Sequence, residues 1–277
     1  MKKPMLAYKI GKKDIDFTED VFMQPKLDGV RCLISKDGAY SRTGKEFKNI
    51  GHIIRRLRPF FKTHPLHVLD GELYNHKLKN DFEKIVSLVR KQKLKPEDIT
   101  ESARLVQFHL YDYMHPSNKN YSGRCFELSN WNIYGKYIKH VPTRLIATRD
   151  IANTTHKIFT KNFDYEGSIL RLNKPYEHKR SYNLQKFKDF HDAEATIVDY
   201  QEGKGKREGT IGKFIMQDDD GNIFGCPPGK GYTYADMKCI LENIHKYMGQ
   251  RATFTYFERT KAGSYRHPLF KALRNYE

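Results

Sequence analysis

Apolar and polar positions in the first two thirds of the chain follow two different periods, which predicts a mixture of strands and helices. Runs in which apolar residues cluster or alternate with a period of two favour strands. These runs cover residues 21–23, 30–35, 67–73, 105–113, 168–172 and 184–187. Apolar residues three and four positions apart favour helices, and they occur at residues 50–61, 82–89 and 122–140.

The pattern changes after Asp189, where short strand-like runs are separated by Gly and Asp turns. The runs cover residues 193–200, 209–217, 222–226 and 251–257, and one amphipathic helix spans residues 234–248. Several short strands with one helix are typical of a small OB-type barrel. We therefore predict an α+β protein with two domains, residues 1–188 and residues 189–277, and a hinge near residues 189–192.

Composition and charge narrow the class of protein. The 277 residues are 38% hydrophobic and 30% charged, which is typical of a soluble globular protein. No apolar run approaches the ~18 residues of a membrane span, and the N-terminal residues lack the apolar core of a secretory signal. We expect a soluble intracellular protein that is not secreted and has no membrane partner.

The cysteines and the net charge add two further expectations. The four cysteines form no C-x-x-C pair, which favours free thiols over a disulfide framework or a zinc site. The formal net charge is +17, and such a field attracts polyanions without regard to sequence. Nucleic acid is the expected partner. The alternative is that the charge serves solubility alone, but solubility requires a smaller net charge than +17.

Lys26 is the first candidate for chemistry, because it precedes an Asp-Gly turn and Arg31 in the segment KLDGVR. A lysine becomes a nucleophile when burial or neighbouring cations lower its pKa. Gly29 permits a tight turn close to a ligand, and Arg31 and Arg42 are candidates for holding phosphate. The alternative for this segment is a surface hairpin with solvated charges.

Further candidates follow at the ends of predicted strands. Glu72 in VLDGELYN and Glu166 in DYEGSILRL are carboxylates suited to a metal or a ribose hydroxyl, and Tyr111 in FHLYDYM offers an aromatic surface for a base. Lys186 and Lys188 alternate, so they share one face of a strand. Taken singly, each has an ordinary alternative: a solvated turn, a core aromatic, or a solvated strand face.

The order of these motifs resembles that of the covalent nucleotidyltransferases, and among them the ATP-dependent DNA ligases. Lys-x-Asp-Gly-x-Arg is followed by Arg-x-Gly, Asp-Gly-Glu, aromatic-Asp, Glu-Gly and Lys-x-Lys, and the resemblance covers nearly the whole chain. The small viral, phage and bacterial ligases are nearest in size. The resemblance implies an ATP-grasp-like nucleotidyltransferase domain of antiparallel sheets with helices, followed by a small OB-fold β-barrel.

The resemblance also implies roles for individual residues. Lys26 would accept AMP, Glu72 would meet the ribose and a metal, Tyr111 would stack on adenine, and Glu166 would bind a metal. The remaining residues implied to act on phosphate are Arg31 and Arg42 (nucleotide or nick 5′-phosphate), Arg180 (phosphate), Lys186 and Lys188 (α-phosphate), and Arg266 and Arg274 (pyrophosphate). Lys204, Lys206, Arg207 and Lys213, together with Arg42, would contact DNA. Three residues depart from the family pattern: Ser168 stands where an aliphatic residue is common, Gln185 stands where leucine is common, and His267 stands where an aromatic residue is usual.

The implied function is ATP-dependent sealing of nicks in duplex DNA by a monomer that uses Mg²⁺ (or Mn²⁺), in the cytoplasm or in a host-cell DNA compartment. An mRNA capping guanylyltransferase and an RNA ligase use the same lysine chemistry and are the alternatives. Glu-Gly at residues 166–167 and Arg-x-Pro at residues 266–268 favour a ligase over a capping enzyme. The OB-type pattern favours a DNA ligase over an RNA ligase. A non-catalytic nucleic-acid-binding protein explains the charge but not the order of motifs.

Overall fold

The computed structural model describes residues 3–79, 81–259 and 263–274, and it consists of two compact units, Met1–Lys188 and Asp189–Glu277. Sheets and helices occur together in both units, which confirms the predicted α+β class. In the described parts of the chain, no helix combines the length and the apolar character needed to cross a membrane.

The first unit contains ten strands and five α-helices within its described residues. The strands are β1 (Leu6–Lys9), β2 (Val21–Lys26), β3 (Val30–Ser35), β4 (Gly38–Tyr40), β5 (Val68–Tyr74), β6 (Gln107–Met114), β7 (Ile138–His140), β8 (Arg144–Ile146), β9 (Gly167–Leu172) and β10 (Arg180–Phe187). The helices are α1 (Gly51–Thr63), α2 (Phe82–Val89), α3 (Pro96–Leu105), α4 (Tyr121–Asn130) and α5 (Arg149–Lys157), and α5 continues as a π-helical turn, Ile158–Asn162.

These strands form two five-stranded sheets. The strand order of one sheet is β1-β10-β9-β2-β8, and that of the other is β4-β3-β5-β6-β7. All pairs are antiparallel except β1 with β10 and β6 with β7. Leu33 and Met114 of the second sheet share an apolar cluster with Leu184 of the first, so the two sheets meet face to face there. Three charged residues, Asp70, Asp112 and Arg171, are also buried on these strands.

The predicted helix over residues 122–140 is wrong in its second half. Helix α4 ends at Asn130, and Ile138–His140 forms β7, which pairs in parallel with β6. Gly135 has a φ of 156°, which favours glycine and interrupts the helix. Apolar residues keep a helical spacing through Ile133 and Tyr137, although the helix has already ended. Ile133 is buried in the core, and the Tyr137 carbonyl accepts a hydrogen bond from the Phe108 N–H.

Two helices that apolar periodicity did not predict begin with polar signals. The N-terminal end of α3 has Pro96 in its first turn, and the Asp98 carboxylate accepts the Lys95 N–H at 3.0 Å. Helix α5 begins after Thr148, whose hydroxyl accepts the Ile151 N–H. Both helices are mostly polar, so the apolar pattern is weak there.

The second unit is built on one antiparallel sheet. Its elements are β11 (His191–Glu202), β12 (Ile211–Gln217), β13 (Ile223–Cys226), α6 (Tyr234–Glu242), β14 (Arg251–Tyr256) and β15 (Leu269–Leu273). The strand order is β13-β12-β11-β14-β15. Within the described residues, the two edges meet through one isolated bridge, Pro228 to Phe270, instead of the continuous ladder of a closed barrel. The helix predicted to reach residue 248 ends at Glu242 and is followed by a 3₁₀ turn, Ile244–Lys246.

Candidate active site

Lys26 ends β2 at the point where β9 begins. Its Cα pairs with that of Gly167, and its carbonyl accepts the Glu166 N–H at 3.2 Å. The Nζ atoms of Lys26 and Lys188 both contact the Glu166 carboxylate, one at each oxygen. Only 4% of the Glu166 side chain is exposed. The structure thus gathers Lys26, Glu166 and Lys188 into one cluster with two cations and one anion, which suits an anionic phosphate.

Gly167 explains why the sequence reads Glu-Gly at this point. Its φ is 152°, and a Cβ atom there would lie 2.3 Å from the Phe187 carbonyl oxygen. No side chain fits in that space. The glycine therefore lets the start of β9 approach the end of β10 and brings Glu166 to Lys188.

Gly29 performs a similar function beside β5. A Cβ atom on it would lie 2.5 Å from the Leu73 carbonyl oxygen and 2.7 Å from Cγ of Glu72. The Asp-Gly turn after Lys26 therefore packs directly against the strand that carries Glu72, and the Lys-x-Asp-Gly spacing fixes Glu72 beside Lys26.

We expect Gly29→Ala to displace Glu72, to destabilise the fold by ~1–3 kcal/mol and to slow reaction at Lys26. The reason is that the added methyl group would overlap the Leu73 carbonyl oxygen of β5. Urea unfolding and the rate of labelling of the chain from ATP measure the two effects. Gly51→Ala is the matched control, because nothing lies within 4 Å of its Cβ position. Equal stability and labelling of the two variants would contradict this packing argument.

A bulge in β6 brings Tyr111 into the same site. Asp70 of β5 pairs with Asp112 and Gly71 pairs with Leu110, so Tyr111 is an extra residue in the ladder. A bulge of this kind redirects a side chain. The Tyr111 hydroxyl lies 3.4 Å from Oε2 of Glu72, and its ring lies beside the guanidinium group of Arg171, 5.3 Å from centroid to Cζ.

Glu72 has a strongly shifted pKa. Burial raises the pKa of its carboxyl group from 4.5 to about 7, although the positive charges of Lys26 and Arg31 oppose the shift. The carboxyl group therefore changes its charge near neutral pH, at the place where the resemblance puts a ribose and a metal.

This shift predicts a pH-dependent loss of stability that Glu72 alone causes. The folded chain holds the proton more tightly than the unfolded chain, so the contribution of Glu72 to stability is complete below pH 4.5 and is lost as the pH rises through about 7. Relative to Glu72→Gln, the wild-type free energy of unfolding should fall across this window. Urea unfolding at a series of pH values measures the difference, with the exposed Glu83→Gln as the control. A difference that does not change with pH would contradict the shift.

Arg31 is occupied by protein partners. Its Nε and Nη2 atoms donate to the two oxygens of Asp70 at 2.9 and 2.6 Å, and Nη1 donates to the Met5 carbonyl at 2.7 Å. The Tyr176 hydroxyl also donates to Asp70 at 2.7 Å. In this arrangement the guanidinium fork is not available for a second bidentate contact, so the expected phosphate contact of Arg31 stays a prediction.

Sequence reasoning missed a second buried ion network. Asp112 is completely buried, and it accepts hydrogen bonds from Arg124 Nε at 2.7 Å and from Arg171 Nη1 at 2.7 Å. Asp112 lies on β6 of the second sheet and Arg171 on β9 of the first, so this ion pair links the two sheets. Arg171 Nε also donates to Gln24 on the neighbouring strand β2. The available signal was a charged residue inside an apolar strand, because such a charge requires a partner.

Two of the departures from the family pattern, Ser168 and Gln185, have local partners. The Ser168 hydroxyl lies 2.8 Å from Nδ1 of His156, whose ring stacks on Phe187 with a centroid distance of 3.7 Å. Gln185 is buried and donates from Nε2 to the Lys13 and Tyr182 carbonyls at 3.3 and 3.2 Å. A hydrogen bond therefore accompanies the polar residue at each position.

The structure places the remaining candidates as follows. Lys186 lies on β10, opposite Ile169 of β9. Arg180 is exposed at the start of β10, and Nη1 donates to the Ala7 carbonyl at 2.6 Å. Arg42 is exposed in the turn after β4. These three residues belong to the first unit, and their roles at a nucleotide or at DNA stay predictions.

The candidates of the second unit are on its surface or paired with acidic residues. Lys204, Lys206 and Arg207 are exposed in the connection from β11 to β12, which contains a 3₁₀ turn, Gly205–Arg207, and Lys213 is half-buried on β12. Nε of Arg274 lies 3.0 Å from Oε1 of Glu194. Arg266 pairs with Glu258.

The donor set fits a magnesium ion that is shared with a nucleotide. No group of three His, Cys, Asp or Glu residues is placed to hold a metal within the residues that the structure describes. Magnesium bound with substrate phosphates needs only one or two protein carboxylates. Glu166 contacts Lys26, and Glu72 is close enough to Lys26 for the lysine to lower its pKa, so both carboxylates are suitable ligands.

Comparison with known proteins identifies the family of this chain. The family model for the ATP-dependent DNA ligase domain matches residues 4–188, and the model for the DNA ligase OB-like domain matches residues 202–274. A DNA ligase of African swine fever virus (Pretoriuskop isolate) is 30% identical over 85% of this chain and 57% of the relative. A DNA ligase of Haemophilus influenzae is 27% identical over 73% of this chain and 70% of the relative. The chain thus spans little more than half the length of the viral relative.

A solved structure shows the same fold. It comes from a study of DNA binding with a minimal scaffold in Lig E DNA ligases, and it has a TM-score of 0.81 and 23% identity over 99% of this chain and 100% of that chain. Together with the OB-like match, this similarity confirms the predicted fold class: a nucleotidyltransferase domain followed by an OB-like domain. The chain belongs to the ATP-dependent DNA ligase family.

Proposed function

We propose that this chain seals nicks in duplex DNA with ATP, through an AMP group carried on Lys26. The observation that carries the proposal is the cluster at the end of β2, where Lys26 and Lys188 share the Glu166 carboxylate. The family match supports the use of ATP. Lys26, Glu72, Tyr111, Glu166 and Lys188 all belong to the first unit, which supports a monomeric enzyme.

In the first step, the Lys26 ammonium group loses a proton to solvent, and the neutral amine attacks the α-phosphorus of ATP. The Nζ–P bond forms, the bond to the bridging oxygen breaks, pyrophosphate leaves, and Nζ releases a second proton to solvent. Tyr111 stacks on the base, and Glu72 accepts a hydrogen bond from a ribose hydroxyl. Lys186 and Lys188 neutralise charge on the α-phosphate. Mg²⁺ (or Mn²⁺), when held by Glu72 and Glu166, offsets negative charge on the phosphate oxygens. Arg266 and Arg274 orient the pyrophosphate.

In the second and third steps, AMP passes from Lys26 to the 5′-phosphate at the nick, and the 3′-hydroxyl then displaces AMP. Arg31 and Arg42 are proposed to contact the nucleotide or the nick 5′-phosphate, and Arg180 is proposed to contact phosphate. Lys204, Lys206, Arg207 and Lys213 contact the DNA backbone, which positions the duplex without reading its sequence.

A duplex with one nick and a labelled 5′-phosphate at that nick tests this function. We expect a joined strand with ATP and Mg²⁺, and no joined strand without ATP. In a parallel reaction, the chain is incubated with labelled GTP. Labelling of the chain from GTP without joining of the nick would contradict the proposal and would favour a capping enzyme. Joining of single-stranded RNA in preference to the nick would favour an RNA ligase.

Substituting Lys204→Ala together with Lys206→Ala should weaken binding of nicked duplex equally for different sequences. The slope of log affinity against log salt concentration should fall by about 2 if each lysine neutralises one phosphate. Fluorescence anisotropy over a series of salt concentrations measures this slope. Lys238→Ala with Lys246→Ala, also exposed on the second unit, is the matched control. The same slope in both double variants would show that Lys204 and Lys206 do not contact the DNA.

A further inference from the structure

Two tyrosines stack on each other at the edge of the first sheet. Tyr8 lies on the edge strand β1 and Tyr182 on its neighbour β10, with ring centroids 4.0 Å apart and planes 8° apart. Tyr182 is 38% exposed. The guanidinium group of Arg180 lies 5.7 Å from the Tyr8 centroid, and its hydrogen bond to the Ala7 carbonyl holds it against β1. The pair therefore has a fixed geometry although it lies at the surface.

This pair does not contribute to an apolar core. Neither ring is part of the buried clusters that the described residues form in the first unit. An exposed aromatic ring with a rigid support offers a flat π surface to a ligand. Because a second ring and a cation already hold the tyrosine in place, it loses less conformational entropy when a further ring stacks on it.

Exposed lysines flank the two strands that carry the pair. Lys12 and Lys13 follow β1, and Lys179 immediately precedes β10. Lys179 has one acidic partner, Glu177, at 3.0 Å on the surface. An exposed aromatic surface within a basic rim is the combination by which proteins hold single-stranded nucleic acid, with bases on the rings and phosphates on the cations.

We propose that Tyr182, supported by Tyr8, stacks on an unpaired base of a single-stranded DNA segment. Lys12, Lys13 and Lys179 contact the phosphates of that segment. Strand β10 leads from Tyr182 towards Lys188, and six residues of strand span roughly 20 Å. Resting on the proposed function, the surface would therefore receive a flap or a gapped strand roughly 20 Å from the reacting phosphate.

Binding of a labelled oligothymidylate of about 16 nucleotides tests the stacking itself, by fluorescence anisotropy on the full chain. We expect Tyr182→Leu to weaken binding by about 5- to 100-fold and Tyr182→Phe to bind like the wild type. Leucine keeps the apolar volume and phenylalanine keeps the ring, so this contrast separates stacking from simple packing. Phe126→Ala, which removes a ring that is 72% exposed on α4, is the matched control and should leave binding unchanged.

Equal affinity of Tyr182→Leu and Tyr182→Phe for the oligothymidylate would overturn the proposal. Sedimentation tests the other occupant, a second copy of this chain: a dimer that Tyr182→Leu abolishes, with unchanged DNA affinity, would overturn it as well. Labelling of the wild-type chain from ATP is measured on the same preparation. Absence of label would refute the proposed function alone, whereas the Leu-to-Phe contrast would still decide the stacking surface.

Discussion

Lys26→Ala should abolish the transfer of label from α-labelled ATP to the chain, with a loss of at least about 10⁴-fold. The reason is that the label depends on a covalent bond to Nζ of Lys26. The other cation that contacts Glu166, Lys188, lies just past the end of β10 and not on β2. Lys26→Arg should be equally inactive, because a guanidinium group stays protonated and is not a nucleophile. Label that survives denaturation of the protein is the measurement.

The exposed Lys36→Ala, in the connection from β3 to β4, is the control for the loss of one positive charge from the same part of the sequence. It should be labelled like the wild type. Label of wild-type intensity on Lys26→Ala would show that a different residue carries the nucleotide, and the interpretation of the cluster at Glu166 would then be wrong.

Asp112→Ala should destabilise the fold by about 3–5 kcal/mol. Asp112 is completely buried between Arg124 and Arg171, whose side chains are only 4% and 6% exposed. Removal of the carboxylate leaves two buried guanidinium groups that repel each other and have lost their shared acceptor. Arg171 also lies beside the Tyr111 ring, so we expect weaker binding of ATP in any folded fraction. Urea unfolding measures the stability.

Asp14→Ala is the matched control for this substitution, since Asp14 is 99% exposed and lies 3.5 Å from Arg149. Its effect should stay within about 0.5 kcal/mol. A similar, small effect for Asp112→Ala would mean that water or a structural rearrangement compensates the two arginines. The buried network would then not be what joins the two sheets.

The residues around Lys26 were predicted from the sequence because their glycines and charges form short motifs, and the order of these motifs resembles that of a known family. Gly29 and Gly167 both stand where a Cβ atom would overlap a backbone carbonyl, and both were visible as Asp-Gly and Glu-Gly pairs. The cluster of Lys26, Glu166 and Lys188 follows once these two close approaches form. Most strands of the first unit were predicted as well, because their apolar runs are continuous.

The remaining features depend on tertiary contacts that one sequence does not display. The bulge that turns Tyr111 towards Glu72 looks like ordinary alternation along β6. Arg31 donates to Asp70 and to the Met5 carbonyl, and both partners are far from it in the sequence. Helical spacing beyond Asn130 was misleading because residues 138–140 add a strand to the sheet edge. In these cases packing between elements overrides the local pattern.

A single-turnover transfer experiment tests the central claim, that Lys26 carries AMP to a nick, most directly. The chain is loaded with labelled AMP from ATP, free ATP is removed, and nicked duplex is added with Mg²⁺. The account predicts that label leaves the protein, appears on the 5′-phosphate of the nick and is then released as free AMP while the strands join. Strands that join while the label stays on the protein, or that join with a chain that never carries label, would contradict it.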